Sequence, residues 1–319
     1  YFRAEFYFLL ARLYGDLPLI LTSPKEVEDV CVPRSSYMEV YRQILEDLCF
    51  AEKYMRTKDE QEKINPGKGR FYRMAATAVK AKVYIQIACY LESPEDQFFD
   101  ISKPGRYPDF TDCGINDAVS AWQLALDAAE EVINDPLHTY ELEPDYRNLF
   151  RWDPENHPED YMSKERIMAL QASAIAGSKQ RASWRLWKNP AGTRENTGNN
   201  SNAGRARPNK IVWEMWGRWY DGHEGQIDGY EDKCITKPSE DPRIKVTYAY
   251  DKVNRFVDGA SASERCFPSR AGEPKRNAYW MKNFSKAYKA DAGTADYYLL
   301  RMADVYFDAA EAAASLGQA

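Results

Sequence analysis

The chain has little histidine and no recognisable metal or nucleophile signature. Its three histidines, His138, His157 and His223, stand far apart, and none sits in an HExxH pattern. No G-x-S-x-G is present. The six cysteines, Cys31, Cys49, Cys89, Cys113, Cys234 and Cys266, form no CxxC and no short metal-ligand spacing. The spacing argues against a zinc site, while one disulfide stays open, since sequence alone cannot pair the residues. No apolar run approaches the roughly 20 residues that cross a bilayer as a helix. The balance of 43 Lys and Arg against 49 Asp and Glu gives a net charge of −6, which argues against a general nucleic-acid binder. The Gly-containing loops lack a phosphate-binding pattern.

Aromatic residues are abundant instead. They make up 13% of the 319 residues, with 22 Tyr and 8 Trp. Each Tyr or Trp has an apolar face and a polar tip, so these residues suit ligand-binding surfaces as well as cores. Apolar residues at 44% and charged residues at 29% are ordinary for a globular chain of this length, which buries a sizeable core without disulfides or metals.

The first half reads as helix. Residues 1–14 place Phe2, Phe6, Leu9, Leu10 and Leu13 on one face, with Gly15 at the stop and Pro18 preventing resumption. Ser35 or Ser36 caps a second helix over 36–56, whose buried face is Tyr37, Tyr41, Ile44, Leu48, Ala51 and Met55. Residues 63–70 read as a Pro/Gly loop. A third helix over 70–92 buries Met74, Ala78, Ala81, Ile85 and Ala88, and its alanines allow a neighbour to approach closely. After a punctuated loop over 93–114, Asn116 or Asp117 caps a fourth helix to 134, with Val119, Trp122, Ala125, Leu126, Ala129, Val132 and Ile133 inward. Residues 296–316 are again helical, with Leu299, Met302, Ala303, Tyr306, Ala309, Ala310 and Ala313 on one face.

This pattern predicts a mainly α fold. Tetratricopeptide-like helical hairpins over 1–134 and 296–316 form a frame, and 135–295 is a long irregular, loop-rich excursion with few short strands. The spacing between hairpins is about seventy residues, well beyond the ~34 of a standard repeat. Within the excursion, 145–150 reads as one turn of helix and 166–172 as a short strand. Ordered excursions of this length usually carry function. The chain opens inside a helical pattern and is read as an internal piece of a longer protein.

Two aromatic clusters stand out in the excursion. One is Trp216, Trp219 and Tyr220, with Arg218, Asp221 and His223 beside them. The other is Trp184 and Trp187, with Arg181, Arg185 and Lys188. Flat rings stack on the apolar faces of sugars while nearby polar groups bond hydroxyls. The competing reading has the same tryptophans pinning long loops to the frame. Trp213 and Trp122 read as buried, and Trp152 and Trp280 carry no assignment. Asp221, His223 and Glu224 read as a polar turn rather than a metal site. A glycosidase needs two positioned carboxylates, and 49 scattered acids single out no pair.

Five stretches in order resemble the SusD-like (RagB/SusD) family. They are Glu5 to Ile20 (EFYFLLARLYGDLPLI), Ser36 to Met55, Ala118 to Phe150, Asp241-Pro242-Arg243 with Val246-Thr247, and Leu299 to Gly317 (LLRMADVYFDAAEAAASLG). The final helix matches only approximately at Ala310-Glu311-Ala312-Ala313, and 177–290 match only at the Asp-Pro-Arg element. The resemblance implies a lipid-anchored protein at the cell-surface side of the outer membrane, its anchor outside this sequence. It also implies a SusC-like TonB-dependent β-barrel partner, an oligosaccharide or peptide ligand, no cofactor and no enzymatic activity. A helical-repeat scaffold for a protein partner and a helical-barrel glycosidase are the alternatives.

Overall fold

The computed structural model describes residues 1–22, 32–64, 70–94, 102, 105–149, 163–170, 248–249, 279–280 and 297–318. Two compact units emerge. The first joins Tyr1–Leu142, Lys164–Met168 and Leu300–Ala319; the second joins Glu143–Ser163 and Ala169–Leu299.

The first unit is a row of helices: α1 (Phe2–Tyr14), α2 (Tyr37–Tyr54), α3 (Lys58–Ile64), α4 (Arg73–Glu92), α5 (Ala118–Ile133) and α6 (Met302–Ser315). Here α1 packs on α2, α2 on α4, α4 on α5 and α5 on α6, with α6 also meeting α4. The element β1 (Leu17–Pro18) pairs antiparallel with β2 (Arg34–Ser35), and β3 (Arg166–Leu170) pairs with β6 (Tyr297–Arg301). The mainly helical class expected from sequence is observed, with α3 lying partly in what the sequence read as loop.

Local chemistry sets the helix starts. Ser36 accepts from the Glu39 amide while the Glu39 carboxylate accepts from the Ser36 amide, a reciprocal cap on α2. Asp16 adds a third contact there, accepting the Tyr37 amide at 3.0 Å. Asp117, not Asn116, caps α5 by accepting the Ser120 amide at 2.7 Å. Gly15 ends α1 at φ 68°, where a side chain would be strained.

The core has two textures. Between α4 and α5 it is fine-grained: Ala75, Ala76, Ala78, Ala81 and Ala88 on one helix, Ala121, Ala125, Ala128 and Ala129 on the other, all buried. Small side chains bring the two backbones close. Beside α2 it is aromatic. Tyr37 and Tyr41, both fully buried, meet Tyr90 and Phe110 edge to face at 5.3–6.5 Å between ring centres. The Tyr41 and Tyr90 hydroxyls pair at 3.4 Å, which satisfies polar tips that burial would otherwise orphan. Burial drives the Tyr41 phenol far above its ordinary range.

Three sequence expectations are corrected. On α1 the buried stripe is Ala4, Phe8 and Ala11, whereas Phe2, Phe6, Leu9, Leu10 and Leu13 are exposed. The helix is apolar on more than one side, so periodicity alone does not choose the inward stripe, and the small residues do because they let α1 lie close on α2. Val119 at the start of α5 is exposed, two residues before the buried run begins at Ala121. The last segment turns from strand to helix at Met302, so its inward face is Met302, Val305, Asp308 and Ala312, and Leu299 and Tyr306 point outward.

In the second unit, the turn of helix expected near 145–150 is a 3-10 helix at Tyr146–Leu149, where Leu149 is buried beside Tyr146 and Tyr298. Ser163 donates to Glu143 at 2.8 Å. The short strands β4 (Tyr248–Ala249) and β5 (Tyr279–Trp280) pair antiparallel, with Tyr248 opposite Trp280 in register.

Candidate functional site

A frame serves a binding site by fixing the ends of the segments that form it. In the first unit, the points where the chain leaves and re-enters are held together by a small set of contacts. Leu142 ends the leading part; Lys164–Met168 returns briefly; Leu300 begins the final part. The Glu141 amide donates to the Lys164 carbonyl at 3.2 Å, and the Lys164 ammonium pairs with the Glu141 carboxylate. That pairing holds the Glu141 carboxyl below its usual range. The Met302 amide donates to the Glu165 carbonyl at 2.8 Å. Arg301 donates to the Glu165 carboxylate at 3.1 Å, where the acid is only 4% exposed. A sheltered carboxylate needs such a charged donor, because burying a lone charge is costly.

The approach to the exit point is rigid for a separate reason. Asp135 is buried and accepts the amides of Leu137 and Thr139 at 3.2 and 3.1 Å, while its carbonyl accepts the His138 amide at 2.9 Å. These bonds close a tight turn after α5 in which His138 takes a positive φ of 47°. Tyr140 follows, buried beside Tyr72 at 6.3 Å between rings. With its ends fixed, a long intervening segment costs little more entropy than a short one.

The residues expected from sequence to bind ligand fall in the intervening segments. Trp184, Trp187, Trp216, Arg218, Trp219 and Tyr220 all lie outside the described residues, as do Trp152, Trp213, Asp221, His223 and Glu224. The structure therefore tests neither cluster. It adds the β4–β5 ladder, which brings the backbones of Tyr248 and Trp280 opposite each other. Two-residue strands leave too short a period to be read from sequence. Trp122 is 3% exposed in the core, as expected, with its indole donating to Glu92 at 2.6 Å.

Among the described residues, no group of three or more His, Cys, Asp or Glu side chains is placed to hold a metal ion. Among the same residues, no helix is long and apolar enough to cross a membrane. Cys49, Cys89 and Cys113 are free thiols, and burial, reinforced by Asp112, pushes the Cys113 thiol up to about 11.

Comparison with known proteins shows what this row of helices is similar to. Residues 1–85 match the SusD-like family model described as "starch-binding associating with outer membrane". A SusD-like protein from Bacteroides fragilis superposes with a TM-score of 0.63 at 20% identity, over 99% of this chain and 56% of that one. A SusD-like carbohydrate-binding protein from the same species gives 0.63 at 14% identity, over 99% and 54%. A structure solved with a xylogluco-oligosaccharide gives 0.63 at 18% identity, over 97% and 52%. The chain thus spans about half the length of the solved structures it resembles. No curated protein matches it. In fold the chain is SusD-like, and its first 85 residues match the family itself.

Proposed function

We propose that this chain is the nutrient-binding part of a cell-surface protein that captures oligosaccharide for a TonB-dependent outer-membrane transporter. The observation that carries the reading is the likeness of nearly the whole chain to a structure solved with a xylogluco-oligosaccharide. The family description supports a carbohydrate ligand and an outer-membrane setting. The tryptophan-rich segments supply the chemistry. Trp216, Trp219 and Tyr220 offer stacking faces, Arg218 offers hydrogen-bond donors to hydroxyls, and Trp184 and Trp187 form a second platform. The work is capture and hand-over, without bond cleavage and without a cofactor. A lipid anchor outside this sequence would hold the protein at the membrane.

The test is calorimetric titration of the chain with xyloglucan and starch oligosaccharides, followed by peptides. Oligosaccharide binding is expected, with Trp216→Ala/Trp219→Ala weakening it at least tenfold, about 1.4 kcal/mol. Binding of peptide but of no glycan would overturn the oligosaccharide assignment. Shortened sugars after prolonged incubation would overturn the non-enzymatic reading. Co-purification from detergent with a large β-barrel would support the transporter partnership, and recovery without one would count against it.

One observation favours a second reading, a scaffold for a protein partner. The exposed strip of Phe2, Phe6, Leu9 and Leu13 on α1, each more than half exposed, is a surface suited to protein rather than sugar. On that reading the aromatic substitutions leave glycan titrations flat because there is no binding to lose.

A further inference from the structure

The helical row is packed largely through apolar contact, and a few sheltered polar pairs cross between its helices, among them Tyr41 with Tyr90, Trp122 with Glu92 and Lys80 with Glu52. Asp308 projects from α6 into the contact with α4 and is only 7% exposed. Lys82 of α4 reaches it, with Nζ 3.2 Å from Oδ1 and 3.1 Å from Oδ2. The first contact has hydrogen-bond geometry. Oδ2 is buried and accepts no hydrogen bond at all, so the second contact is charge attraction alone.

The same lysine also lends charge to a carboxyl on another helix. It acts electrostatically on Glu5 of α1, a half-buried carboxyl that Arg12 also faces. Asp304 and Glu311, one turn to either side on α6, add negative charge around Asp308. On α5, the other helix packed against α6, Asp127, Glu130 and Glu131 are exposed. One cation, itself 30% exposed, therefore faces two sheltered carboxylates on two different helices.

We propose that the α1–α4–α6 junction is a proton-uptake site, in which Asp308 takes a proton on mild acidification and the helical frame becomes more stable as it does so. Burial and the missing hydrogen bond favour this sign over the opposing pull of Lys82. An ionised Asp308 leaves Oδ2 buried with the charge of Lys82 beside it but no hydrogen bond, and it repels Asp304 and Glu311. A neutral one loses part of the Lys82 attraction but removes both penalties, and it frees Lys82 for Glu5. Burial is the largest influence on Asp308 and holds its carboxyl above the ordinary aspartate range; Lys82 opposes the shift without cancelling it. Burial moves Glu5 in the same direction.

The linkage sign follows. Between the raised native midpoint and the lower unfolded one, the folded chain binds the extra proton, so stability rises as pH falls through that window. This is opposite to ordinary acid denaturation, in which paired carboxylates lose their partners.

The experiment compares the urea unfolding of the 319-residue chain and of Asp308→Asn from pH 7.5 to pH 3.5. The amide has nearly the same shape and no charge. The folding constant of the wild-type chain relative to the variant is expected to rise as pH falls, by up to tenfold per unit for one proton. Glu5→Gln should retain most of that rise, which assigns the proton to Asp308. A ratio that is flat, or that falls with acidification, overturns the proposal. If the variant does not fold, a carboxyl-carbon NMR titration of Asp308 in the wild-type chain decides. A midpoint above the roughly 3.9 of an unstructured aspartate is expected, and one at or below it overturns the proposal. None of these readouts depends on the ligand assignment.

Discussion

Single side chains hold the frame where polar atoms would otherwise be stranded. Trp122 is an example, because its ring fills the core while its indole nitrogen reaches Glu92. Trp122→Phe keeps most of the packing and removes the donor, so a loss of about 1–2 kcal/mol is expected, measured by urea denaturation. Ser36→Ala removes one half of the reciprocal cap on α2 and is expected to cost about 1 kcal/mol. Arg301→Met is a harsher change. It takes the cation from Glu165, which stands 4% exposed at the point where the chain rejoins the frame, and a loss of about 3 kcal/mol is expected. At this scale the sequence was partly legible. Ser36 and the Trp122 burial follow from local pattern, while the Glu165–Arg301 pair does not, because 136 positions separate the partners.

Whole helices differ in how much they tolerate. The α4–α5 contact is built from alanines on both sides, so there is no slack for a larger residue. Ala125→Leu, at a fully buried position of α5, is expected to destabilise by about 1–3 kcal/mol through overpacking. The opposite holds on the outer strip of α1. Phe6→Glu or Leu13→Glu is expected to change stability of this chain by no more than about 0.5 kcal/mol, since both side chains are more than 60% exposed. A large loss in thermal unfolding of Phe6→Glu would show that the strip is buried after all. The contrast explains one misreading. The spacing of Phe2, Phe6, Leu9 and Leu13 identifies a stripe correctly, but α1 carries a second stripe of Ala4, Phe8 and Ala11. Close packing on α2 selects the stripe with the small residues, and that choice depends on the neighbour.

Across the molecule, frame and ligand-facing segments are expected to be separable. On the proposed reading, substitutions in the aromatic segments weaken binding at least tenfold and leave the unfolding midpoint unchanged, since those side chains would meet ligand and not the core. Trp216→Ala/Trp219→Ala, assayed together by calorimetry and thermal unfolding, checks this. A lowered midpoint would assign those tryptophans to packing. The amino-acid sequence by itself determined the helical frame and narrowed the caps of α2 and α5 to two adjacent residues each, between which the structure selects Ser36 and Asp117. Those features are local: 3.6-residue periodicity and a polar residue before an apolar run carry them. Ordered motifs also carried the SusD-like likeness. Tertiary structure alone decided which stripe of α1 turns inward, the strand-to-helix change at Met302, and the meeting of Lys82 with Asp308, 226 positions away. Each of these depends on a surface supplied by distant parts of the chain, and no window of sequence contains it.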